Sequence, residues 1–162
     1  MITLFTTGGT FDKIYFDAKS EFSVGDPQAE PILNDANVDF DYRITSLLRK
    51  DSLDMTDDDR RLICESVSSS DSQQVLVTHG TDGMVATAQA LAAHGVAGKT
   101  VVLLGAMQPA RMRVSDAPFN LGFALAAVQA LQPGIYITMN GRIFSHDNVV
   151  KNWEKGRFEE LS

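Results

Sequence analysis

Three short segments carry residues able to do chemistry. In Thr6-Thr7-Gly8-Gly9-Thr10, two glycines directly precede a threonine at the end of an apolar run. Glycine lets the backbone approach a ligand closely and take positive φ, so the Thr10 hydroxyl opens onto free space as a candidate nucleophile. His79-Gly80-Thr81-Asp82-Gly83 supplies a second hydroxyl and a carboxylate at the start of a predicted helix. Unpaired N–H groups and the helix dipole favour anions there. Asp51-Ser52-Leu53-Asp54-Met55 adds a third hydroxyl, and Gly105-Ala106-Met107-Gln108-Pro109 follows another strand-like run. A hydroxyl nucleophile, an anion-accepting turn and a carboxylate suit acyl transfer on an amide that bears charged substituents. A nucleotide fits less well, because the chain lacks both G-x-G-x-x-G and G-x-x-x-x-G-K-[ST] spacing.

Other reactive side chains have plainer roles. His79, His94 and His146 lack zinc-site spacing, so no metal is expected. His79 is expected to shape its turn, and His94 to sit at a helix C-terminus where an imidazolium is favoured without function. Cys64, the single cysteine, falls on an amphipathic helix and reads as a small hydrophobe. With no disulfide available, a reducing cytoplasm is the expected compartment.

These groups must be held by an α/β domain with a largely parallel sheet. Strands are expected at Ile2–Thr6, Asp39–Ile44, Gln74–Thr78, Thr100–Gly105 and Ile135–Met139. Val75-Leu76-Val77 and Val101-Val102-Leu103-Leu104 are continuously apolar, as strands covered on both faces are. Asp39–Ile44 alternates, which places it near an edge. Thr56 with Asp59 forms a capping-box pattern that opens a helix to about Ser68, with Asp57, Asp58 and Asp59 complementing its dipole. Further helices are expected after Asp82-Gly83, from Pro118 to Pro133-Gly134, and briefly over Gln28–Ala36. Gly122 is expected to let the Pro118 helix pack closely on the sheet. Residues 11–31 show no sustained period and read as an irregular segment, either a lid or a tethered surface loop. In open parallel sheets ligands gather at the carboxyl ends of strands, which is where the three motif segments lie.

At 162 residues with 44% hydrophobic and 22% charged content, the chain has the makings of one domain. The net charge of −7, with no basic run, argues against nucleic acid or an anionic membrane as partner. No apolar stretch reaches membrane-spanning length, and the N-terminus shows no basic region or cleavage site of a secretory signal.

Thr7-Gly8-Gly9-Thr10 and His79-Gly80-Thr81-Asp82-Gly83 resemble the two signature motifs of bacterial-type L-asparaginases. Gly105–Pro109 and Asp116-Ala117-Pro118-Phe119-Asn120-Leu121 match the segments that follow them. The resemblance implies a Rossmann-like, three-layer domain spanning 1–162, with a lid over 11–31. It implies hydrolysis of L-asparagine to aspartate and ammonia without a cofactor. By the same likeness Thr10 is the nucleophile and Thr81, Asp82 and Lys151 form a second catalytic cluster. Tyr15 resembles the tyrosine that activates the nucleophile. Ser52 and Asp82 hold the substrate's α-carboxylate and α-ammonium, with Gly9 and Ala106 also at the substrate. On physical grounds the proton acceptor for Thr10 is Tyr15 if nearby cations lower its pKa, Lys151 if burial keeps it neutral against the pull of Asp82, or a shared network that moves the proton through Thr81 or a water.

Two departures from the family pattern stand out. Leu53 occupies a position usually held by a glutamine that contacts the α-amino group, so Asp82 alone, or Asp17 or Glu21 from the lid, must hold the ammonium. Typical members also carry a C-terminal domain whose glutamate, from a neighbouring subunit, completes the site. The resemblance therefore implies a homo-oligomer, here in a short form with Trp153, Phe158 and Leu161 docking the tail on the domain or on a second subunit. Turnover of glutamine or another small amide, and amino-acid binding without catalysis, are the alternatives.

Overall fold

The computed structural model describes residues 1–162. In chain order it contains β1 (Ile2–Gly8), β2 (Lys13–Phe16), β3 (Glu21–Val24), α1 (Ala29–Asp35), β4 (Tyr42–Lys50), α2 (Asp57–Ser69), β5 (Gln74–Thr78) and α3 (Met84–His94). There follow β6 (Thr100–Leu104), α4 (Ala117–Ala130), β7 (Gly134–Met139), β8 (Arg142–Ser145), β9 (Val150–Asn152) and β10 (Arg157–Glu159). Six strands form one sheet in the order β4-β1-β5-β6-β7-β8, parallel except for β8.

Side-chain alternation along the central strands builds the three layers. On β5 and β6, Val75, Val77, Val101 and Leu103 face Ile63, Val67, Met84 and Leu91 of α2 and α3. Leu76, Val102 and Leu104 point the other way, into a second core with Leu33 of α1 and Leu121 and Ala124 of α4. The continuously apolar runs thus occupy the middle of the sheet, and the alternating β4 takes an edge as expected. The capping box forms in both directions: Thr56 Oγ1 accepts the Asp59 N–H at 3.2 Å, and the Asp59 carboxylate accepts the Thr56 N–H at 2.8 Å. Asp59 also holds Lys50 Nζ at 2.8 Å, fastening α2 to the end of β4. Thr56→Ala should lower stability by about 1 kcal/mol and the melting temperature by roughly 2–4 °C, measured by thermal denaturation.

Several sequence expectations need correction. β4 is Tyr42–Lys50 rather than Asp39–Ile44, because pairing with β1 starts at Ile2 opposite Tyr42 and continues towards its end. β6 stops at Leu104, not Gly105, where the chain turns so closely that a Cβ on Gly105 would lie 2.5 Å from His79 O. Residues 11–31 are not irregular: β2 and β3 pair as an antiparallel hairpin, followed by α1. Gly122 faces away from the sheet with nothing near it, and Ala117, Ala124 and Ala127 make the close contact instead. Past β7, the Asn140-Gly141 turn with both φ positive sends β8 back along the sheet edge, a hairpin signal that sequence reading passed over. Of the tail residues, Phe158 docks on the domain at 1% exposure, while Trp153 and Leu161 are exposed on this one chain.

Candidate active site

The loops after β1, β4 and β5 meet through glycine. A Cβ on Gly9 would come within 2.5 Å of the Gly80 Cα, and one on Gly80 within 2.5 Å of Ser52 Oγ. These glycines are required because loop backbones touch one another, whereas the sequence had pointed to closeness with a ligand. Gly9 takes φ 75°, and its N–H is bound to Lys50 O at 2.9 Å, so that amide faces the fold rather than a ligand. Thr10 and Thr81 each directly follow one partner of the Gly9–Gly80 contact. Ser52, 4% exposed, accepts the Gly83 N–H at 3.1 Å and so pins the start of α3 to the β4 loop.

Thr10 opens a single 3₁₀ turn, Thr10–Asp12. It lines an open depression of about 380 Å³ together with Lys13, Phe22, Gln108, Pro109 and Met112. Tyr15 does not line it. Its ring lies 5.3 Å from that of Phe22 and is half exposed on the hairpin, while Phe22 lines the depression with Thr10. Asp17 and Glu21 are exposed at the hairpin turn, Glu21 near Lys19 at 3.9 Å.

The second cluster assembles across 70 residues of chain. Lys151 Nζ, from β9, donates to Thr81 Oγ1 at 2.8 Å and pairs with the Asp82 carboxylate. The Trp153 ring centroid lies 4.3 Å from the same Nζ, so the ammonium is walled by a carboxylate, a hydroxyl and an aromatic face. Because the lysine donates, the Thr81 hydroxyl keeps its own proton free to point elsewhere. Ala106 is 1% exposed with its methyl in the core, which leaves its backbone as the part able to meet a ligand.

His79 is part of the frame. Its Nδ1 lies 2.8 Å from the Gly80 carbonyl, which can only accept, so Nδ1 carries the proton and Nε2 accepts from Thr87 Oγ1 at 2.8 Å. Complete burial pushes its pKa down to about 4, against the pull of the Gly80 carbonyl.

Sequence reading missed Asp12, Asp116 and Asn120. Asp12 is 1% exposed; its Oδ1 accepts the Gln28 N–H at 2.9 Å and its main-chain O accepts the Gly25 N–H at 2.8 Å. It therefore closes the base of the hairpin, two residues from Thr10. Burial raises its pKa from 3.8 to about 7, outweighing the Gln28 N–H and the Arg49 charge. The raised value means the folded protein keeps a proton that the unfolded chain has lost. The associated stability is complete below about pH 4 and is lost as pH rises through 7. His79 acts with opposite sign, losing stability as pH falls from 6.5 towards 4. Comparing parent with Asp12→Asn isolates the first effect. The variant should lack a fall in stability of ~2–4 kcal/mol between pH 4 and pH 7, read from urea melts. A downstream Asp after Thr-Phe gave no local signal of burial. Asp116 and Asn120 did carry one, an Asp and an Asn one helical turn apart at a helix start.

A family model described as "Asparaginase, N-terminal" matches residues 1–157. L-asparaginase 2-3 of Saccharomyces cerevisiae is 41% identical over 86 residues, covering 51% of this chain and 24% of the yeast protein. L-asparaginase 2 of Escherichia coli is 29% identical over 163 residues, covering 93% of this chain and 46% of that protein. Among solved structures, the thermostable L-asparaginase from Thermococcus kodakarensis superposes with a TM-score of 0.81 at 25% identity, over 99% of this chain and 51% of that one. The chain spans between about a quarter and a half of the length of these curated relatives.

Proposed function

Because the chain belongs to the asparaginase family, matching its N-terminal domain over residues 1–157, we propose that it hydrolyses the side-chain amide of L-asparagine to L-aspartate and ammonia. The Thr10 hydroxyl attacks the amide carbon, its proton passing to a base and then to the departing nitrogen, which leaves as ammonia. Water then cleaves the Thr10 ester and restores the hydroxyl. The observation that carries this reading is Lys151 bonded to both Thr81 and Asp82, beside the Gly9–Gly80 backbone contact that Thr10 and Thr81 directly follow in sequence. Lys151, once it has passed a proton to the Asp82 carboxylate bonded to it, accepts the Thr10 proton through Thr81. No cofactor enters these steps.

The hairpin within residues 11–31 acts as the lid, hinged at Asp12, and its closure carries Tyr15 towards Thr10. Ser52 and Asp82 hold the α-carboxylate and α-ammonium of the substrate, with Gly9 and Ala106 alongside. The protein works as a homo-oligomer in the cytoplasm, where its one cysteine, the buried Cys64, stays reduced. Glutamine is the second reading: Leu53, 71% exposed beside Ser52, offers no hydrogen bond to select the shorter substrate.

Ammonia release measured with asparagine and with glutamine, beside calorimetric titration of both, tests the proposal. Turnover of asparagine in preference to glutamine is expected. Turnover of glutamine alone would favour the second reading, and binding without turnover at any pH would remove the enzymatic one.

A further inference from the structure

The segment between β6 and α4 forms the wall of the Thr10 depression through Gln108 and Pro109, yet it has no regular backbone structure of its own. Its shape is held from the first turn of α4. Asp116 occupies the N-cap position of that helix, where a carboxylate ordinarily accepts amides of its own helix. Here it makes no such bond. It turns outward and accepts the Met107 N–H at 2.9 Å, the Gln108 N–H at 2.9 Å and the Asn120 side-chain amide at 3.0 Å. Asn120, 3% exposed, donates to Gly105 O at 2.9 Å as well. Ser115 takes over the capping task by accepting the Ala117 N–H at 3.0 Å, and donates to Gln108 O at 2.9 Å. At its far end the segment binds the nucleophile turn directly, since the Ala110 N–H donates to Phe11 O at 3.1 Å.

A carboxylate that accepts two successive backbone amides makes charge-assisted bonds, stronger than those between neutral groups. Forgoing a helix cap to make them favours the loop at the helix's expense. We infer that Asp116, with Asn120 and Ser115, is a positioning residue for the reaction: it fixes the Gly105–Ala110 segment and, through the Ala110–Phe11 bond, the orientation of Thr10. The inference rests on Thr10 being the nucleophile as proposed above. Asp116 touches no reacting atom, so its effect falls on the geometry of attack more than on substrate affinity. Small misplacements of a reacting group lower turnover steeply.

Asp116→Asn keeps the shape but puts an NH₂ where Oδ2 accepted the Met107 N–H and the Asn120 side-chain amide. Ser115→Ala, at a partly exposed side chain, removes both the bond to Gln108 O and the acceptor of the Ala117 N–H, a loss no larger than that of an ordinary helix cap. Amide hydrogen exchange, followed residue by residue, is the readout independent of activity. In Asp116→Asn the Met107, Gln108 and Ala110 amides should exchange at least about tenfold faster, with those of β6 unchanged. In steady-state assays kcat should fall about 10- to 100-fold with KM within about threefold. Ser115→Ala should move both quantities the same way and less. Unchanged exchange at Ala110 in both variants would overturn the link to the Thr10 turn. Faster exchange with kcat within twofold of the parent would overturn the role in positioning. A parent protein that turns over neither asparagine nor glutamine would instead defeat the proposed function, with the exchange result still deciding whether the clamp exists.

Discussion

Thr10→Ala is expected to lower ammonia release from asparagine by at least ~10³-fold while leaving the melting temperature within about 2 °C of the parent. The change removes one hydroxyl and one methyl from a partly exposed residue at the start of the 3₁₀ turn. The backbone around it is fixed by other groups: Gly9 by Lys50 O, Asp12 by Gln28 and Gly25, and Phe11 by its burial and by Ala110. Nothing in that frame depends on the Thr10 side chain, so the loss should fall on chemistry alone. If the reaction runs through an ester on this oxygen, no neighbouring group can substitute at the same point in space. Thr81 is the nearest alternative in kind, but its hydroxyl already accepts from Lys151. Ammonia release within a few-fold of the parent would exclude Thr10 as nucleophile and direct attention to Thr81.

The second large effect is expected from Lys151→Met, which keeps the length of the apolar stem and deletes the ammonium. Turnover should fall ~10²–10³-fold, because the proton path through Thr81 loses its far end. Stability should also fall, by about 1–2 kcal/mol, since the Asp82 carboxylate loses its partner in a half-screened site. Side-chain exposures of 11% for Lys151 and 20% for Asp82 place the pair between a surface bridge and a buried one. Pairing Lys151→Met with Asp82→Asn separates the two consequences. The double variant should regain most of the lost stability, because no unpaired charge remains, and should stay as inactive as Lys151→Met. Recovery of activity in the double variant would show that Lys151 serves to neutralise Asp82 and not to move a proton.

Much of the frame was legible in the chain because its determinants are local. Continuous apolar runs put β5 and β6 at the sheet centre, alternation put β4 at its edge, and Thr56 with Asp59 capped α2. The motif segments could be assigned to strand ends because strands and loops alternate along the sequence in that order. Asn140-Gly141 was equally local, and the strand pair it joins was there to be read.

By itself, then, the sequence determined the layers, the rim on which the hydroxyls gather and the family to which those motifs belong. Periodicity and capping are set by neighbours within a turn or two, so they survive in a linear reading. Tertiary structure decided which side chains come together: Lys151 with Thr81 and Asp82, Phe22 on the depression that Thr10 lines, Asp116 turned from its own helix towards Met107 and Gln108. It also decided that Asp12 is buried and that Gly9, Gly80 and Ser52 stack. Each of those outcomes depends on where two loops come to rest against each other. That is settled by the sum of many small contacts between distant segments, for which no short stretch of residues carries a signal.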